Sequence, residues 1–131
     1  MSADALVAGV LKDVANSVAA GVVDLSTGML LAVKTTESHP QSVLDLLAAA
    51  SKEMFEGDMV QQIERIFKKT RGETGDDHYF KEIIVSSKNL LHVFCRLKAK
   101  ENVVLCVVAR ASANLGMTVN KSRELATGAT L

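Results

Sequence analysis

The chain has no tryptophan, one tyrosine, four phenylalanines, one proline and two cysteines. It also has no net charge, since fifteen basic residues balance fifteen acidic ones. Each shortage excludes something. A neutral surface with few aromatics lacks both the cationic footprint and the stacking platform of a nucleic-acid binder. Apolar runs stay far below the roughly 20 residues a membrane-spanning helix needs, and Met1-Ser2-Ala3-Asp4-Ala5 carries no basic leader. The expectation is a cytoplasmic protein with no nucleic-acid or membrane partner. Two cysteines without a secretory signal read as free thiols.

What remains is ordinary for a folded domain: 48% hydrophobic and 23% charged residues over 131 positions. That is enough for a single domain, residues 1–131, with one core. The organising stretch is Phe80–Ala109, which reads as three antiparallel strands. Its last strand, Val103-Val104-Leu105-Cys106-Val107-Val108-Ala109, is apolar at nearly every position. A strand with one wet face would alternate, so this one belongs in mid-sheet with helices over both faces.

Around it the chain reads in order. Ser2–Asn16 has Leu6, Val7, Val10, Leu11 and Val14 at helical spacing, with Ser2 or Asp4 as cap. Val18–Leu25 and Met29–Thr35 form a hairpin across Ser26-Thr27-Gly28, with Gly28 left-handed. A turn at Thr36–Pro40 starts a helix running to Lys69. Gly57 interrupts that helix, and Asp58 with Gln61 resembles a capping pair. Its apolar stripe, from Val43 through Phe55, Ile63, Ile66 and Phe67, is broader than one sheet face requires. Thr70–Tyr79 is a polar loop. Phe80–Ser87 and Leu90–Lys98 are strands, the second with Leu91, Val93, Cys95 and Leu97 on one face and His92, Arg96 and Lys98 on the other. Ser112 caps a last helix with Leu115, Val119, Ser122 and Ala126 along one side, and Gly128 occupies its C-terminal cap.

No constellation of catalytic residues stands out. His39, His78 and His92 fall in a turn, a loop and a strand without metal-ligand spacing, and read as surface or rim residues. Asp76-Asp77-His78 lacks the alternating oxygens of a calcium loop. No phosphate-binding glycine motif occurs, so no cofactor or metal is expected. If Lys100-Glu101 form a two-residue turn, Ala99 faces Asn102 and Cys95 lies directly opposite Cys106, on one apolar face with Val93, Leu97, Val104 and Val108. A cross-strand disulfide is then open geometrically, with buried free thiols the favoured reading. A buried thiol has a raised pKa, which argues against cysteine catalysis.

The element order, together with Ala20-Gly21-Val22-Val23-Asp24-Leu25-Ser26-Thr27-Gly28-Met29-Leu30-Leu31-Ala32 and Ala113-Asn114-Leu115-Gly116-Met117, resembles the Roadblock/LC7 family over roughly Asp4 to Leu125. The stretch Phe55–Tyr79 departs from the family pattern, being longer than the usual connection before the third strand. The resemblance implies an α+β fold of the profilin-like kind. It is a three-layer α/β/α sandwich in the order α-β-β-α-β-β-β-α, with a five-stranded antiparallel sheet ordered 2-1-5-4-3. It also implies a non-enzymatic dimer that scaffolds or regulates a partner, in bacteria and archaea often a small Ras-like GTPase. Physical reasoning agrees with self-association. Phe80–Ser87 would be an apolar edge strand guarded only by Lys81, and the long helix carries surplus apolar surface. The expected interface is Met54, Met59, Val60, Ile63 and Phe67 on the helix with Phe80, Ile83, Ile84 and Val85 on the edge. Two rival readings are a small-molecule sensor domain, which needs a ligand-sized cavity beside the sheet, and a thiol enzyme using Cys95 or Cys106.

Overall fold

A computed structural model describes residues 1–37 and 41–131. Ser38, His39 and Pro40 of the expected turn lie outside the described residues. The elements are α1 (Ala3–Asp13), β1 (Ser17–Asp24), β2 (Met29–Thr35), α2 (Gln41–Glu56), α3 (Asp58–Arg71), β3 (Glu82–Ser86), β4 (Leu90–Arg96), β5 (Val103–Arg110) and α4 (Leu115–Gly128). One antiparallel sheet has the strand order β2-β1-β5-β4-β3, so β5 is central as its unbroken apolar run requires. The expected fold class and sheet order hold.

Two cores sandwich the sheet. On one face Leu6, Val7 and Val10 of α1 and Val119 and Ala126 of α4 pack on Ala20, Val22, Val93, Cys95, Leu105 and Val107. On the other, Ala48 and Phe55 of α2 close over Val23, Leu25, Phe94 and Val104. Alternate residues of β5 feed each core, the period-2 geometry of a strand buried on both sides.

Local signals explain most element ends. Ser2 caps α1 by accepting the Ala5 amide at 3.1 Å, and α1 stops at Asp13, three residues short of Asn16. Gly28 has φ +74, the left-handed conformation the hairpin turn was expected to need. The turn is one residue longer than expected, because Leu25 leaves the strand to pair with the Asn102 carbonyl and bury its side chain. Asp24 then holds the loop, accepting from the Ser26 amide at 2.9 Å and the Thr27 hydroxyl at 3.3 Å. At α4 the cap is Asn114, not Ser112; its side-chain oxygen accepts the Met117 amide at 2.9 Å. Consequently Leu115 sits at the first turn, exposed, instead of on the buried stripe. Gly128 is the last helical residue and the extended Ala129 follows it.

The β4–β5 connection corrects another expectation. Leu97 donates to the Val103 carbonyl, and a turn closes from Lys100 back to Leu97. Five residues, Lys98 to Asn102, therefore separate the last pair instead of two, and the pairing shifts by one: Phe94 faces Cys106 and Cys95 faces Leu105. A one-residue shift moves a side chain to the other face. Cys95 and Cys106 therefore lie on opposite faces, Cys95 with Val93 and Leu97, Cys106 with Val104, and both are free thiols. Strands β3 and β4 are also shorter than the expected Phe80–Ser87 and Leu90–Lys98.

Candidate interaction surface

The break at Gly57 organises the surface. Gly57 is the N-cap of α3 with φ −60 and ψ 154, so the chain turns sharply while its amide still donates to the Glu53 carbonyl at 3.0 Å. A Cβ at this position would stand 2.6 Å from that carbonyl oxygen, closer than real contacts allow. The expected interruption is therefore present, but the Asp58–Gln61 capping pair is not. Gln61 instead reaches back and donates to the Glu56 carbonyl at 2.8 Å.

That carbonyl and its neighbour lose their helical donors at the break, and side chains replace them. Arg96, with only 1% of its side chain exposed, donates from Nη2 to the Phe55 carbonyl at 3.2 Å. Its Nη1 donates to Glu56 Oε1 at 2.9 Å and to the Glu101 carbonyl at 2.8 Å, and its Nε donates to the Phe80 carbonyl at 2.7 Å. The guanidinium also lies 5.0 Å from the centre of the Phe55 ring. One side chain thus ties the end of α2, the lead into β3 and the β4–β5 loop together. Burying a charge is costly unless its donors are used, and here four of the five are.

Helix α3 hangs from this joint. Its buried residue is Glu64, whose Oε2 accepts the Tyr79 amide at 2.6 Å; His78 stands 3.5 Å from Glu64 and 3.9 Å from Glu56. His78 is therefore half-buried between two carboxylates and not simply a rim residue. The helix ends at a left-handed Gly72, with Lys68, Lys69 and Arg71 in its last turn where cations favour the dipole. No apolar residue of α3 joins either core among the described residues. Its apolar face points to solvent: Met59 is 69% exposed, Ile66 61%, Phe67 49% and Ile63 38%.

The other expected interface residues divide. Met54 packs against the α2-side core and Val60 is half-buried, so both face inward more than the surplus stripe suggested. Phe80 lies before β3 and is half-buried, as is Ile83, while Ile84 and Val85 are exposed on a strand with a partner on one side only. Tyr79 links the two regions, its ring edge-on to Phe67 at 5.8 Å. Edge strand and exposed helix face thus flank the loop 72–81.

The joint formed by Arg96, Glu56, Glu64 and His78 escaped sequence reading, which put Arg96 on the outward face of its strand and His78 at the rim. A signal existed for the arginine: Arg96 pairs with Val104 of a strand buried on both faces, so its flank is buried too. The cysteines are poor nucleophiles, since burial pushes Cys95 and Cys106 each up to about 12. Burial also lowers the pKa of His92, which stacks on Phe94.

The class defined by these features is a three-layer α+β domain with an unsatisfied edge and an unsatisfied helix face. No protein-family model matches the chain, and no curated protein matches it. Solved structures do. A Roadblock/LC7 domain from Streptomyces avermitilis is 19% identical with a TM-score of 0.66, over 96% of this chain and 92% of that one. An MglB with tetrameric arrangement is 19% identical with a TM-score of 0.71, over 95% and 82%. The gliding protein MglB of Thermus thermophilus is 18% identical with a TM-score of 0.68, over 95% and 83%. The chain has the Roadblock/LC7-type fold.

Proposed function

We propose that the chain is a non-enzymatic, homodimeric interaction module of the cytoplasm that scaffolds or regulates a partner protein, and that this partner is a small Ras-like GTPase. The observation that carries the reading is the outward apolar face of α3 together with the open edge of β3. An amphipathic helix with its apolar face in water and an uncapped apolar edge strand both need another chain. Edge-to-edge pairing of two β3 strands would extend the sheet, with Met59, Ile63, Ile66 and Phe67 of the two copies meeting across the two-fold axis. Met54, Val60, Phe80, Ile83, Ile84 and Val85 would flank that seam. A solved neighbour described as tetrameric supports a self-associating fold, and the Roadblock/LC7 likeness supports regulation over catalysis. Among the described residues no helix is long and apolar enough to cross a membrane.

The test has two arms. Sedimentation at micromolar concentration should give a dimer. Met59→Lys with Phe67→Lys should weaken it by about a thousandfold or more, because each buried apolar side chain is worth about 1.5–3 kcal/mol. Small GTPases loaded with GDP or a GTP analogue should then be retained by the immobilised dimer in a nucleotide-dependent way. A well-behaved monomer would remove the scaffold reading, and failure to retain any GTPase would remove the partner.

A further inference from the structure

A recess lies beside the sheet, away from α3. It is a cleft of about 530 Å³ on the α2-side face. Pairing places Thr35, Ala19, Val108 and His92 in one row across β2, β1, β5 and β4, and these residues line it. Leu44 and Leu47 of α2 form the opposite wall, while Phe55 closes the sheet only at the far end of that helix. The cleft shares Ala19, Leu44, Leu47 and Val108 with an adjoining apolar slot of about 60 Å³, which continues past Gly21 and Cys106. The larger volume is in the ordinary range of about 300–1,000 Å³ for small-molecule sites.

The mouth has a chemical polarity. Arg110 and Asn89 stand at the β4–β5 side, and Arg110 pairs with no carboxylate among the described residues. Next to them is His92, whose burial lowers its pKa and favours the neutral ring. Glu37 also lines the mouth, but it follows β2. That strand lies two sheet positions from β5, about 10 Å away at ordinary strand spacing. A ligand with one anionic head would therefore lodge at Arg110 and Asn89, away from Glu37, with an apolar tail over Ala19 and Val108 beneath Leu44 and Leu47. The small volume of the adjoining slot suits a slim tail, an unbranched chain of medium length.

We infer that this cleft is a binding site for a medium-chain aliphatic carboxylate, its carboxylate held by Arg110 and its tail held between α2 and the sheet. The site is separate from the α3 face and does not depend on the dimer reading.

The experiment is a thermal-shift and calorimetric titration of the full chain with octanoate, using octanol and acetate as controls. Octanoate should raise the melting temperature by several degrees, while acetate and octanol, each lacking one half of the recognition, should do so far less. Arg110→Gln, at an exposed position, should weaken octanoate at least tenfold and leave the octanol response as it was. Ala19→Leu, which fills the floor, should weaken both. Met59→Lys with Phe67→Lys should leave octanoate binding unchanged. The proposal is overturned if octanoate gives no shift, if octanol matches it, if Arg110→Gln has no effect, or if the α3 substitutions abolish binding, since the fatty chain would then be sitting on the helix face.

Discussion

Replacing Arg96 by methionine should cost this protein a large share of its stability. The guanidinium makes four hydrogen bonds, three of them to the carbonyls of Phe55, Phe80 and Glu101 and one to Glu56. Methionine has nearly the same length and keeps contact with the Phe55 ring, recovering about 0.3–1.5 kcal/mol of sulfur–aromatic attraction. It donates nothing. The Phe55 carbonyl left buried without a donor costs about 1–3 kcal/mol, and the part-buried carbonyls of Phe80 and Glu101 each cost toward the lower end of that range. Glu56 loses its cation, but its side chain is 18% exposed and can recover water, so its share falls below that of a fully buried carboxylate. The net expectation is a loss of about 3–5 kcal/mol, against a total of about 5–15 kcal/mol for a domain. With a urea dependence of about 2 kcal/mol per molar, the unfolding midpoint should fall by about 2 M. Arg96→Lys should recover only part of this, because a single ammonium cannot span acceptors on three segments. A loss below about 1 kcal/mol for Arg96→Met, or full recovery by lysine, would refute the view that this arginine ties the α2–α3 joint to the sheet.

Gly57→Ala should destabilise, because alanine is a poorer N-cap than glycine and its methyl would meet the Glu53 carbonyl at 2.6 Å. Relief of that clash costs about 1–3 kcal/mol, read as a lower melting temperature; a higher one would show that the break does not need glycine. Native Cys95 and Cys106 should react with a thiol reagent at pH 8 far more slowly than the urea-unfolded chain, and equal rates would sink the buried-thiol assignment. Their folded pKa of about 12 exceeds the ordinary 9.0. The stability linked to these thiols is therefore complete below pH 9 and lost as pH rises from about 9 to 12. Cys95→Ala with Cys106→Ala should flatten that alkaline decline in urea midpoints, and an unchanged slope would assign it to other groups.

Much of the architecture was legible from local chemistry. An apolar run without alternation can sit only where both faces are covered, so Val103–Ala109 declared itself central. Ser2 before an amphipathic stretch, Gly28 in a hairpin and Gly57 inside a helical pattern each marked a backbone event requiring that residue type. The outward face of α3 was foreshadowed as surplus apolar stripe, although Met54 turned out to pack on the α2-side core, Val60 to be half-buried and Ile66 to face outward.

Other features depended on where distant segments meet. The two cysteines fell on opposite faces because the β4–β5 connection holds an odd number of residues, and that parity follows from the Leu97–Val103 pairing, not from the turn's composition. Arg96 looked like a solvent-side residue of an alternating strand. It became a buried hub only once the end of α2, the lead into β3 and the Glu101 loop converged to offer oxygen atoms. Periodicity along a chain reports which face a residue takes, whereas burial of a charge depends on what three-dimensional packing brings to that face; the first is written locally, and the second exists only in the folded whole.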